Sequence, residues 1–94
     1  MKFPVISVPF FMGQTVATPH VLESVPQDEI FAALRRHQNC DWGDVSLQDK
    51  WSNDRAVKGE ERLFSVYHSK SGIKFWIITE WDRSATTVLL PEDY

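Results

Sequence analysis

The stretch Ile73–Thr79, IKFWIIT, constrains this chain more than any other. Written as a strand, it puts Ile73, Phe75 and Ile77 on one side and Trp76 and Ile78 on the other. A strand that is apolar on both sides belongs in the middle of a sheet, because an outer or half-covered strand alternates apolar with polar. It has a partner on each side. Upstream, ERLFSVYHS is β-branched and aromatic and is separated from it by the turn KSG. Downstream, the turn DRS leads to ATTVLL, which Pro91 ends. Three consecutive strands joined by short turns form an antiparallel meander.

The period is different before residue 61. PQDEIFAALRRHQN starts with Pro26, carries Asp28 and Glu29 in its first turn and ends on Arg35, Arg36 and His37. Those charges suit the positive and negative ends of a helix. Ile30, Ala33 and Leu34 form an apolar stripe at i, i+3, i+4, which Phe31 widens. Thr18-Pro19 reads as a cap and first position of a short earlier helix over HVLESV. Ser46 with Asp49 resembles a capping box, so a further helix should run from about Leu47 to Lys58 and stop at Gly59. Its apolar stripe is thin (Leu47, Trp51 and Ala56), which places it on the surface with Trp51 as its anchor. Residues 3–12 look extended, although Pro4 and Pro9 restrict any strand there to an edge. QTVAT reads as a short strand.

The 94 residues therefore read as one α+β domain. It has an extended segment at 1–12, a helical part at 18–58, and a three-stranded antiparallel sheet at 61–90 with helices packed on one face. The N-terminal apolar run is short and broken by prolines, so it reads as an extended segment instead of a signal peptide. No stretch approaches the ~20 apolar residues of a membrane span. A lone cysteine, Cys40, permits no internal disulfide and points to the reducing cytoplasm. The net charge of −3 argues against direct nucleic-acid binding. All of it falls between Asp41 and Glu61, where six acids face three bases.

Three groups of residues invite chemistry. The strands carry Glu61, Arg62, Tyr67, His68, Glu80 and Arg83, types that a metal-independent ribonuclease uses as base, acid and phosphate-holding cation. The element order also looks like that of small RelE/ParE-type toxins. The plain alternative is that they are solvent-facing strand residues, with Glu80 and Arg83 pairing across a hairpin tip. HQNCD groups His37, Cys40 and Asp41, which is too few for a metal site without a second cluster. Cys40 then reads as a small buried residue and His37 as a helix-terminal charge. No metal or other cofactor is expected. The third group, DWGDVSLQDKWSNDR, combines Trp42 and Trp51 with Asp41, Asp44, Asp49 and Asp54. It reads either as an acidic, aromatic docking patch for a basic partner surface or as two core tryptophans among solvated acids.

The residues DWGDV, RLFSVYHSKSGIKFWIITEWDRSATTVLLPEDY and, upstream, GQTVATPHVLE resemble a family of small proteins carried on plasmids, integrative elements and prophages. Its members are commonly labelled plasmid-related, and sometimes type I restriction subunit M by name only. The resemblance covers roughly residues 13–94. It implies a mobile-element setting and a cytoplasmic location, and it brings no catalytic residues to transfer. Such elements encode small proteins to survive or control a host. The reading that follows is a binding protein, anti-CRISPR-like or anti-restriction-like, that occupies a basic surface of a nucleic-acid-targeting complex. A ribonuclease toxin and a structural homodimer, joined through a sheet edge or Trp81, are the alternatives.

Overall fold

The computed structural model describes residues 8–59 and 61–94. The expectation of an extended segment lies outside the described residues for positions 1–7. Residues 8–12 form no strand, and Phe10 among them is buried.

The chain order is β1 (Gln14–Ala17), α1 (Pro19–Ser24), α2 (Gln27–Gln38), α3 (Leu47–Ala56), β2 (Leu63–His68), β3 (Lys74–Thr79), β4 (Ala85–Leu89) and a final 3-10 turn (Pro91–Asp93). The fold is α+β, as its change of period implies. β2 and β3 pair antiparallel with Leu63 opposite Thr79 and His68 opposite Lys74. β3 and β4 pair antiparallel with Trp76 opposite Leu89. The two-sided strand β3 thus lies inside the sheet.

The sheet has four strands instead of three, in the order β1-β4-β3-β2. β1 joins β4 in parallel, with Gln14 beside Ala85. A parallel partner needs a long crossover, and here the crossover is the whole helical part plus two strands. Gly13 makes the start of this pairing possible. Its φ is +64°, and a Cβ there would lie 2.4 Å from the carbonyl oxygens of Arg83 and Ser84. Only a residue without a side chain lets the two backbones meet so closely, and Gln14 N–H then donates to Ser84 O at 3.0 Å.

Helix starts follow the local chemistry. Thr18 Oγ1 accepts from Val21 N–H at 3.2 Å and donates to Asp93 Oδ2 at 2.7 Å, tying α1 to the final turn. Ser46 Oγ accepts from Asp49 N–H at 3.1 Å. α3 ends at Ala56, two residues earlier than expected, with a turn through Val57 to Gly59.

One sheet face packs on α1 and α2. Val21, Val25, Ile30, Ala33, Leu34, Tyr67, Phe75, Ile77, Val88 and Leu90 form that core. A second cluster of Phe10, Trp42, Ala56 and Leu63 closes the end beneath α3. The α2 stripe continues to His37 at i+7 and excludes Phe31, which is half exposed. His37 is therefore no helix-terminal charge. It is fully buried, with Nδ1 2.6 Å from Ser65 Oγ and Nε2 2.8 Å from Thr79 Oγ1. Thr79 Oγ1 lies 2.8 Å from Thr86 Oγ1, and the Thr86 hydroxyl donates to Met12 O at 2.7 Å. That last bond fixes the protons as far as Nε2, and the neutral state of the ring fixes the one at Nδ1. Thr86 has spent its hydrogen, so Thr79 donates to Thr86, Nε2–H donates to Thr79, and Ser65 donates to Nδ1. The ring is neutral, and burial together with the nearby positive Arg83 pushes its pKa down to about 4.

Candidate functional site

α3 is anchored mainly through Asn53 and Ala56, with Asp54 adding a bond to the Trp42 indole. Asn53 is buried, its carboxamide donating to Phe64 O at 2.7 Å and accepting from Phe64 N–H at 3.1 Å. Ala56 fills the space next to Leu63. With ~100° per residue, Leu47, Trp51 and Asp54 fall on the opposite side of the helix. Leu47 is 72% exposed and Trp51 66% exposed. Trp51 is thus the most outward part of α3 and not its anchor; that role belongs to Asn53 and Ala56. Trp51, Asp54 and Arg55 line an open cavity of about 400 Å³.

The structure divides the six residues of the aromatic-acidic segment. Trp42 is only 3% exposed and cannot serve as a surface anchor. Its ring contacts Phe10 and His37, and its indole N–H donates to Asp54 Oδ1 at 2.9 Å. Gly43, at φ +73°, explains why it turns inward. A Cβ there would stand 2.0 Å from Val66 O, so glycine alone lets this loop lie against β2. Asp41 pairs with Arg36 at 2.7 Å, Asp44 with His68 at 2.7 Å and Asp54 with Lys50 at 2.8 Å. The hydrogen bond from Arg36 holds the Asp41 carboxyl below its usual range, and those from Lys50 and Trp42 do the same for Asp54. Asp49 makes no ion pair among the described residues, yet it points about 160° away from Trp51 around the helix. What the structure brings together is Leu47, Trp51 and Asp54, with charge largely balanced locally.

The ribonuclease candidates separate. Glu61 and Arg62 precede β2 and His68 ends it, about 20 Å away along the strand. Arg62 Nη1 donates to the Tyr94 hydroxyl at 2.7 Å. Arg83 does not pair with the Glu80 carboxylate. Its guanidinium donates to backbone carbonyls of Glu61 and Ala56 at 2.6 Å each and of Glu80, Gly59 and Trp81 at 3.2–3.3 Å. Arg83 is a latch joining the β3–β4 turn to the end of α3. Glu61, Glu80 and Arg83 meet through main-chain carbonyls and not as an acid–base set, while His68 and Tyr67 share a cleft of about 200 Å³ that Glu29, Arg36 and Lys70 also line. Each is already engaged. Glu29 accepts from Lys70 N–H at 2.7 Å, Arg36 lies over the Tyr67 ring at 4.8 Å, and the Tyr67 hydroxyl donates to Asp41 O at 2.6 Å. Burial raises the Tyr67 pKa to about 12.

HQNCD is not assembled for metal binding. His37 spends both ring nitrogens internally, and no group of three or more possible ligands occurs among the described residues. Cys40 is half-buried at φ +64°, and burial pushes its thiol pKa up.

One feature escapes the sequence. The sheet face away from α1 and α2 is only partly covered, and it holds a cavity of about 340 Å³ lined by Phe64, Trp76, Ile78, Tyr94, Arg62 and the Asp49–Asn53 side of α3. Phe64 and Tyr94 meet Trp76 edge-on at 5.1 and 5.8 Å. The apolar side of Trp76 and Ile78 signals such a surface, but not that it stays half open.

No family model, no curated protein and no solved structure matches this chain. No helix among the described residues is long and apolar enough to cross a membrane.

Proposed function

We propose that this protein acts without catalysis, by binding another protein through the outer face of α3. The observation that carries this is the pair Leu47 and Trp51, one helical turn apart and 72% and 66% exposed, on a helix held to the body through Asn53, Ala56 and the flanking Asp54 and not through either of them. Neither side chain contributes to the core, and an exposed indole beside an open cavity is the composition of an interface hot spot. Asp54 lies beside that pair, and residues 41–61 carry a net charge of −3 in the sequence. They favour a partner with an apolar recess and a basic rim, and opposite charge at a rim speeds encounter more than it strengthens the complex. In a mobile-element setting, the partner of that description is a nucleic-acid-binding surface of a host defence complex, which this protein would block in an anti-CRISPR-like or anti-restriction-like way.

The test is quantitative capture from host lysate with the wild type, Trp51→Ala and Leu47→Ser. Retention of a partner should drop by about 30-fold or more for Trp51→Ala, the loss typical of a hot-spot residue. Equal retention by all three removes α3 as the interface.

A second reading is favoured by the cleft at His68. The His68–Asp44 contact at 2.7 Å, with Arg36 and Lys70 nearby, is the residue set a metal-independent ribonuclease would use. Metal-independent RNA cleavage by the purified protein, lost in His68→Ala, would establish that reading over the binder.

A further inference from the structure

The two edges of the sheet are finished differently. On β2, the outward main-chain groups are all taken near its middle. Asn53 holds Phe64 N–H and C=O, Val66 N–H donates to Trp42 O at 3.1 Å, and Asp44 N–H donates to Val66 O at 2.7 Å. At the opposite edge, β1 has β4 on one side and no strand on the other among the described residues. Gln14 and Thr18 direct their N–H groups to β4. By the alternation of a strand, Thr15 and Ala17 direct theirs outward.

Natural sheets guard such an edge with lysine, proline, a bulge or a covering loop. Among the described residues β1 carries no lysine or proline and has nothing paired on its outer side, its shortness of four residues being its only guard. From Phe3 to Leu22 the chain contains no Asp, Glu, Lys or Arg. Val16 is 41% exposed, and the flanking Phe11 and Leu22 are more exposed still.

We infer that β1 pairs antiparallel with β1 of a second copy of this chain, joining two four-stranded sheets into one. Charge selects this occupant. Under a two-fold axis every side chain near the axis meets its own kind, so a charged edge would repel itself. This edge is uncharged, whereas residues 41–61, the segment that holds α3, carry a net −3 in the sequence. With the axis at Val16, Thr15 of each copy faces Ala17 of the other, and each such pair exchanges both of its N–H···O bonds. Val16 then meets Val16 at the closely spaced, non-hydrogen-bonded position, where side chains touch best. The strand order puts β2, and with it α3, at the far ends of the joined sheet. The dimer therefore offers two separated α3 faces, and a partner with repeated sites would bind it with avidity.

The test is sedimentation equilibrium of the wild type, Val16→Lys and Val16→Asp at protein concentrations up to about 1 mM, the range of the weakest specific contacts. The wild type should approach twice the 10.9 kDa chain mass. Each variant alone should stay at the chain mass with an unchanged circular dichroism spectrum. An equal mixture of the two should return to twice the chain mass, because Lys then faces Asp across the axis; that recovery also shows that both variants are folded. A wild type that remains at the chain mass throughout would overturn the inference. So would a dimer that both variants form as readily as the wild type. Neither result bears on α3, whose capture test is independent.

Discussion

Trp42 and Trp51 lie nine positions apart in one polar segment and end in opposite environments. Trp42 is sealed among Phe10, His37 and Ala56, with its N–H given to Asp54. Trp51 stands in solvent on the outer side of α3. Composition does not separate them. What does is whether the backbone can bring each one to the core: Gly43 lets the loop carrying Trp42 lie against β2, while Asn53 turns α3 so that Trp51 faces away. The inner region is fully satisfied, down to the proton order along Ser65, His37, Thr79, Thr86 and Met12. The outer region is left with apolar surface and no partner within the described chain. The outer region has apolar surface to offer a partner, and the inner region has none.

Substitution should widen that contrast. The largest effect belongs to Trp42→Ala, which empties a buried site and leaves Asp54 without its indole donor. It should cost about 3–5 kcal/mol in urea unfolding, as large buried aromatics do. A loss below 1 kcal/mol would mean that Trp42 is not a core residue.

Acid should act on the inner region next. His37 is neutral when folded, with a pKa near 4, against 6.5 when free. Between those values the unfolded chain binds the proton and the folded chain does not. The stability His37 contributes is therefore complete above pH 6.5 and is lost as pH falls toward 4, by about 3 kcal/mol in all. Asp41, Asp54 and Asp93, whose carboxyls are all held low, titrate below this window. His20 is raised by its bond to Asp93, so its contribution is present below pH 6.5 and fades above it, opposite in sign. Unfolding midpoints at pH 7 and 4.5 for the wild type and His37→Asn isolate the effect. The wild type should lose far more than the variant, and parallel losses would contradict a neutral buried ring.

Asn53→Ala should cost about 2 kcal/mol, since it strips both main-chain groups of Phe64 of their partners. It should also speed amide exchange at Phe64, while unchanged exchange would mean that water replaces the carboxamide without loss. Smallest in stability is Trp51→Ala, within about 0.5 kcal/mol of wild type, the range of surface substitutions. A large destabilisation there would place Trp51 inside, and the two regions would no longer differ.

Much of the fold was legible in the residues. IKFWIIT placed β3 inside the sheet, and Thr18, Pro19, Pro26 and Ser46 marked helix starts, because caps and periods are local properties. Long-range facts were not legible. The parallel pairing of β1 depends on Gly13 fitting under Arg83 and Ser84, 70 residues later. His37 looked like a helix-end charge because its partners, Ser65 and Thr79, belong to strands that only the folded sheet brings near. Arg83 looked like half of an ion pair because its five carbonyl acceptors come from two distant stretches, the end of α3 through Glu61 and the β3–β4 turn. At the candidate site, the residue types were legible but their directions were not: Trp42, Asp49 and Trp51 share a segment and face three ways.

A partner covers either the outer face of α3 or the cleft at His68. Hydroxyl-radical footprinting of the free and partner-bound protein reads this directly. Leu47 and Trp51 should be modified readily in the free protein and protected in the complex, with Trp42 unreactive in both. Protection centred on Tyr67 and His68, with Trp51 as reactive as before, would contradict the α3 interface.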